Sequence, residues 1–191
     1  MDPFQQFSDW YNHESDNSGA FIPSACCLSA TGLDDYPDAR FVSLKEMIDK
    51  TFIVTGPVSS RKGLEIMKSN KVAITFWWPA TQRQVRVQGN AIRISDEQAD
   101  KYFSQRDTNA QIVSMISEQG KPLNSPEDLL KKFEEAKSLF TNKPITRPSN
   151  WSGYAIHQVR MEFMEFRPSR FHNRKLYELI NEEWMQSTIQ P

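Results

Sequence analysis

At 191 residues, with 23 Lys and Arg against 24 Asp and Glu, the chain can bury a substantial core but has no general excess of positive charge to offer nucleic acid. No stretch approaches the roughly 20 apolar residues of a membrane span, and Met1-Asp2-Pro3 does not open a secretory signal. Cys26 and Cys27 are adjacent, which suits neither a mutual disulfide nor zinc spacing, so a reducing, cytoplasmic setting is expected.

In chain order, Phe4, Phe7, Trp10 and Tyr11 recur at helical spacing and predict a short amphipathic helix. The polar stretch from Asn12 to Pro23 reads as a loop, so residues 1–23 form an N-terminal helix and loop. Ser24 to Thr31 reads as a strand ended by Gly32, Ala39 to Lys45 as its hairpin partner, and Thr51 to Thr55 as a third strand stopped by Gly56-Pro57. Ser60 is expected to cap a helix that turns Leu64 and Met67 inward. Val72 to Trp78 is nearly all apolar and predicts a central strand. Gln84 to Ile94 alternates, with Val85 and Val87 on one face and Gln84, Arg86 and Gln88 on the other.

Ser95-Asp96-Glu97-Gln98 is a capping box, opening a helix with Ala99, Tyr102, Phe103 and Arg106 on one face. Ser125-Pro126 starts another helix, running through Leu129, Phe133, Ala136 and Phe140. Residues 143–152 form a proline-bearing linker. Two or three strands follow, with a hairpin around Asn181-Glu182-Glu183. Strands dominate, and many lack the helical crossovers a parallel sheet needs. The expected fold is therefore mainly β with accessory helices, an antiparallel barrel in one domain over 1–191.

Several clusters carry chemistry. Ser60-Arg61-Lys62 at a helix start combines free N–H groups, a hydroxyl and two cations, which suits a phosphate monoester, although an ordinary exposed first turn has the same look. Arg40 and Lys45 are an odd number of residues apart. In a regular strand they face opposite sides, so they serve one anion only across a bulge, or two neighbouring anions. Tyr102 and Arg106 at i, i+4 point into whatever the helix covers, or pack on each other. Gln84, between Arg83 and Arg86, can bond an amide-like ring edge or face solvent. Arg170-Phe171-His172-Asn173-Arg174, if a strand, puts Arg170, His172 and Arg174 on one face, as an anion site or as a solvated surface.

The order and wording of these segments resemble one family closely: Arg40-Phe41-Val42-Ser43-Leu44-Lys45, Ser60-Arg61-Lys62-Gly63, Arg83-Gln84-Val85-Arg86-Val87-Gln88-Gly89, Tyr102-Phe103 with Arg106, Trp151-Ser152-Gly153-Tyr154, and Arg170, His172 and Arg174. The chain resembles the pyridoxine (pyridoxamine) 5'-phosphate oxidases over nearly its whole length. The resemblance implies an FMN-binding split β-barrel, a homodimer with FMN at the interface. It further implies oxidation of pyridoxamine or pyridoxine 5'-phosphate to pyridoxal 5'-phosphate by dioxygen, with release of hydrogen peroxide. By motif, Arg40, Arg61 and Lys62 would hold the FMN phosphate, with Val42 and Ser60 beside them, and Gln84 and Arg174 would meet the isoalloxazine edge. Lys45, itself close to the cofactor, would grip the substrate phosphate with Tyr102 and Arg106, and Arg170 and His172 would sit over the substrate ring. The chain departs from the pattern where a substrate-binding serine falls at Ala110, a tryptophan near the flavin at Met164, a Tyr-Thr pair at Thr55-Gly56, a Gln-Ser pair at Gln119-Gly120, and an aspartate at Asn173. These departures leave open a diverged relative that binds FMN but acts on another molecule or serves as a binding protein.

Overall fold

The computed structural model describes residues 2–17, 19, 22–141 and 143–191. Positions 18, 20 and 21 of the expected N-terminal loop, and 142, lie outside these.

The first helix, α1 (Pro3–Asn17), is longer than its aromatic spacing predicts. Phe7 sets its ring 4.8 Å from Phe52, 5.1 Å from Phe76 and 5.7 Å from Trp78, centroid to centroid. Two polar side chains are buried with it and both are satisfied, as burial demands: Gln6 Oε1 accepts from the Tyr177 hydroxyl at 2.8 Å, and the Glu14 carboxylate accepts from the backbone N–H of Thr81 at 3.0 Å. That last contact anchors the C-terminal half of α1, which the sequence reading gives to a loop.

Strands β1 (Ala25–Thr31) and β2 (Pro37–Ile48) pair antiparallel, and β2 turns into β3 (Thr51–Pro57) through Asp49 and Lys50. Both turn residues have positive φ, 48° and 57°, the geometry whose twist matches a hairpin. Helix α2 (Arg61–Lys68) leads to β4 (Lys71–Trp78), which pairs with the free edge of β1, and to β5 (Arg83–Arg93) beside it. Helices α3 (Asp96–Ser104), α4 (Thr108–Ile116) and α5 (Pro126–Leu139) precede the long β6 (Trp151–Glu165), then β7 (Asn173–Ile180) and β8 (Glu183–Thr188).

The strand order is β3-β2-β1-β4-β5-β6-β7-β8, and β3 also pairs with β6, so six strands close into an antiparallel barrel. One edge of β6 is shared. Residues 151–156 pair with β3, and residues 160–165 pair with β7, while β5 holds the opposite edge from Tyr154 to Glu165. The register of β5 and β6 slips between Gln88 and Gly89, leaving Val159 as an extra residue. A Cβ on Gly89 would lie 2.4 Å from the His157 carbonyl oxygen, so this close crossing requires glycine.

The barrel interior is filled by Leu28, Phe52, Ile74, Phe76, Val85, Val87 and Met161, all fully buried, each worth about 1.5–3 kcal/mol as area removed from water. A smaller core under α3 joins Ile53, Ala99, Tyr102, Phe103 and Trp151. Helix α2 corrects one expectation: its buried residues are Gly63, Glu65 and Ile66, whereas Leu64 and Met67 are 41% and 71% exposed. The carboxylate of Glu65 turns this face toward Arg40, as described next.

Candidate functional site

Several of the residues expected to hold a phosphate lie side by side. Arg40, Ser60, Arg61, Lys62 and Gln119 line a cleft of about 210 Å³, together with Val42. Ser60 is the N-cap residue of α2 by position only. Its hydroxyl donates to the Pro57 carbonyl at 2.6 Å and caps no N–H of the helix, which leaves the first-turn N–H groups for another acceptor. Glu65 has no exposed side-chain surface; it accepts from Arg40 and, at 3.0 Å, from Arg61 Nε. Asp38 binds both arginines as well, at 2.6 and 2.8 Å. These acids hold both guanidinium groups in place. Arg40 Nη1 is nevertheless buried without a hydrogen-bond partner among the described residues.

Lys62 meets neutral oxygens, Ser60 Oγ at 3.5 Å and Gln119 Oε1 at 3.4 Å. Burial first, and then the Arg40 charge, push its pKa below the ordinary lysine value. Gly56, at φ 153°, lets this ammonium lie close: a Cβ there would be 2.7 Å from Nζ.

A larger cleft of about 400 Å³ adjoins the first, sharing Val42, Lys62 and Gln119 and adding Thr55, Gly56, Arg106, Ser114 and Trp151. Arg106 lies just beyond α3, which ends at Ser104, and so does not share that helix's buried face as expected. Its guanidinium sits 5.2 Å from the Trp151 ring centroid and donates to Ala110 O at 3.3 Å and Ser114 Oγ at 3.4 Å. Burial lowers its pKa. Ala110 therefore adjoins the arginine through its backbone, having no hydroxyl to give.

Lys45 and Tyr102 stand apart from this cleft. A bulge between Leu44 and Glu46 interrupts β2 at Lys45; the lysine Nζ is 5.7 Å from the Tyr102 ring centroid, and the Tyr102 hydroxyl donates to Glu46. Burial and then Glu46 raise the phenol's pKa. Arg40 thus contacts α2, while Lys45, at the bulge that the odd spacing allowed for, lies against α3.

The C-terminal cluster needs correction. Arg170 and His172 are not in a strand, since β7 begins at Asn173. The segment from Arg167 turns back on itself, Arg170 N bonding Arg167 O at 3.0 Å, with Arg170 at φ 66°. A non-glycine residue held there costs about 1–3 kcal/mol, a strain that concentrates at functional sites. His172 Nδ1 accepts from the Arg167 N–H at 3.1 Å, so the neutral ring carries its proton on Nε2.

Arg174 does lie in β7, and the register aligns Trp77, Gln84, Met164 and Arg174 in one row across β4, β5, β6 and β7. Arg174 reaches Glu162 at 2.6 Å, and Arg86 binds the other oxygen of that carboxylate at 3.1 Å. Sequence reasoning missed Glu65, Asp38 and Glu162, whose pairing with arginines appears only in three dimensions. Ser114 was missed too, on a helix the sequence reading does not predict, although Asp107 three residues before Ala110 is a capping signal: its side chain accepts from Ala110 N at 2.9 Å.

A closed antiparallel barrel whose sixth strand peels away to a second sheet edge defines a split barrel. The sequence matches the family model described as pyridoxamine 5'-phosphate oxidase over residues 20–139, and that of the pyridoxine 5'-phosphate oxidase C-terminal dimerisation region over residues 151–191. Pyridoxine/pyridoxamine 5'-phosphate oxidases of Rubrobacter xylanophilus and Leptospira biflexa are 35% and 34% identical to it, each across all of this chain, and over 87% and 90% of their own lengths. In fold, the chain is similar to PhzG from Burkholderia lata 383, solved in complex with tetrahydrophenazine-1-carboxylic acid (TM-score 0.94, 24% identity, 99% of this chain and 92% of that one). It is also similar to a pyridoxamine 5'-phosphate oxidase-related, FMN binding protein of Nostoc punctiforme (TM-score 0.83, 18% identity, 100% and 99%). The chain belongs to the pyridoxamine 5'-phosphate oxidase family. No helix among the described residues is long and apolar enough to cross a membrane.

Proposed function

We propose that the protein is an FMN-dependent oxidase that converts pyridoxamine or pyridoxine 5'-phosphate to pyridoxal 5'-phosphate, with dioxygen as acceptor and hydrogen peroxide as second product. The observation that carries this reading is the cleft at the start of α2. There a buried Arg40 nitrogen without a partner and a desolvated Lys62 facing neutral oxygens converge with free helix N–H groups. Such donors fit a phosphate dianion, which would satisfy Arg40 and Lys62 at once.

Arg40, Arg61 and Lys62 would hold the phosphate of FMN, with Ser60 and Gln119 beside them, while Gln84, Met164 and Arg174 would form the wall against its ring. FMN when bound supplies the redox chemistry, taking a hydride from C4' of the substrate and passing the electrons to dioxygen. The chain's own residues bind and orient. Arg106 presents a desolvated cation to the substrate anion, and His172, fixed as the Nε2–H form by the Arg167 amide, presents a donor. Arg170 is held beside it by the strained turn.

The phosphate clasp and the ring wall sit at different places on one chain. Trp151 of the larger cleft opens β6, whereas Met164 of the wall lies near the end of that strand, so the two sets of side chains belong to opposite ends of one long strand. This supports a homodimer in which each site draws its clasp from one copy and its wall from the other.

The purified protein is expected to absorb as a flavoprotein and to release peroxide on addition of either substrate. A fully FMN-loaded protein that turns over neither compound would sink the proposal. It would favour a second reading, a relative that binds flavin but acts on another molecule. The tie between Tyr102 and Glu46 and the missing hydroxyl at Ala110 motivate that alternative.

A further inference from the structure

We infer that Ser114 supplies the hydroxyl of the substrate-anion site in this protein, in place of a side chain at position 110. This inference rests on the proposed oxidase reading and deepens it. Ser114 stands one helical turn after Ala110 on α4, so the two positions share a face of that helix. Its Oγ accepts from Arg106 Nη2 at 3.4 Å and donates to the Ala110 carbonyl at 2.8 Å. Both Ser114 and Arg106 line the larger cleft, which continues into the FMN-phosphate clasp at Lys62.

Two further groups mark this spot as a place for an acceptor. Arg106 Nε and Trp151 Nε1 are both buried, and neither has a hydrogen-bond partner among the described residues; Trp151 is 1% exposed and also lines the cleft. A buried N–H left unpaired is costly, and two here, one of the guanidinium itself and one of the neighbouring indole, call for a ligand rich in acceptor oxygens. A phosphate monoester provides three such oxygens and a charge that matches Arg106.

Ser114 is suited to join in because its present donor bond is replaceable. The Ala110 carbonyl is an i−4 backbone acceptor within a helix, so it keeps a backbone N–H when the hydroxyl turns away. One rotation about χ1 or the C–O bond redirects the proton from that carbonyl to an anion next to Arg106. Until then, the oxygen steadies the guanidinium. The helix that carries it is anchored by the Asp107 cap and by Gln111, whose side-chain amide donates to Phe103 O and Arg106 O, each at 3.0 Å.

The test measures pyridoxal 5'-phosphate binding to the FMN-loaded protein by titration calorimetry, which does not depend on turnover. Ser114→Ala is expected to weaken binding by roughly tenfold to a hundredfold, the range for a hydrogen bond to a charged group, while the flavin remains bound. Ser114→Thr, which keeps the hydroxyl, is expected to stay within about threefold of the parent, and Ala110→Ser in the Ser114→Ala background to recover most of the loss. Equal affinity of the parent and Ser114→Ala would overturn the role of Ser114 and leave the oxidase reading intact. Failure of the parent itself to bind pyridoxal 5'-phosphate would overturn both.

Discussion

Glu65 is the residue that fixes the two arginines of the proposed phosphate clasp. Its carboxylate lies fully inside the protein and engages Arg40 and Arg61 together. Breaking one side of a buried ion pair costs about 3–5 kcal/mol, because the surviving charge stays desolvated. Glu65→Ala is therefore expected to lower the unfolding free energy by that order in urea titrations, and to loosen FMN through misplaced guanidinium groups. Lys62 gives a pH signature. Its pKa is depressed in the free protein by burial and Arg40, and a bound phosphate would raise it. If Lys62 holds the FMN phosphate as proposed, FMN affinity is expected to be full while Lys62 is protonated and to decline as pH rises through the depressed value, below the range of an ordinary lysine. Lys62→Arg should remove that decline, and fluorescence titration of FMN over the alkaline range reads it directly. The cations were legible in the sequence because three of them sit at a helix start or in a recognisable strand motif. Their acidic partners were not: Asp34, which meets Arg61 Nη2 at 3.2 Å, Asp38 and Glu65 come from a turn, a strand and a helix, and nothing local marks them as a set.

At the scale of elements, α1 is held by its aromatics and by two buried polar contacts. Truncating Phe7, which touches three aromatic rings of the barrel, is expected to cost about 3–5 kcal/mol of stability, measured as a shift of the denaturation midpoint with unchanged slope. Most strands were readable, since alternation in β5 and the continuous apolar run of β4 report burial on one or both faces. The segment before β7 was misread for a local reason. Pro168 and Ser169 set a turn after Arg167, and the chain resumes extended pairing only at Asn173; period-two alternation of charges alone could not reveal that. Helix α4 was missed because Thr108, Asn109 and Val113 are weak helix formers, and its stability comes instead from the Asp107 cap, from the buried Ile112, and from the buried Gln111, whose amide donates to Phe103 O and Ser104 O at the end of α3.

Across the whole molecule, the barrel closes through β3 and β6, and the C-terminal half of β6 is left free to pair with β7, which in turn carries β8. Large apolar side chains remain uncovered on the single chain, among them Phe41 at 80% and Phe171 at 77%, one beside the phosphate clasp and one in the turn before β7. Dilution of the FMN-loaded protein is expected to release flavin and dissociate the dimer at the same concentrations, seen by sedimentation and flavin fluorescence together. Flavin retained on a monomer would contradict the shared site.

The proposed sharing of each site between two copies has a genetic consequence. With the clasp drawn from one copy and the wall from the other, a copy carrying Lys62→Ala and a copy carrying Arg174→Ala are each expected to be inert when produced alone. Co-expressed, they would form hybrids in which one of the two sites inherits both good halves. Up to about a quarter of normal activity should then return, half of the assemblies being hybrids and each bearing one working centre. Two crippled alleles would rescue one another.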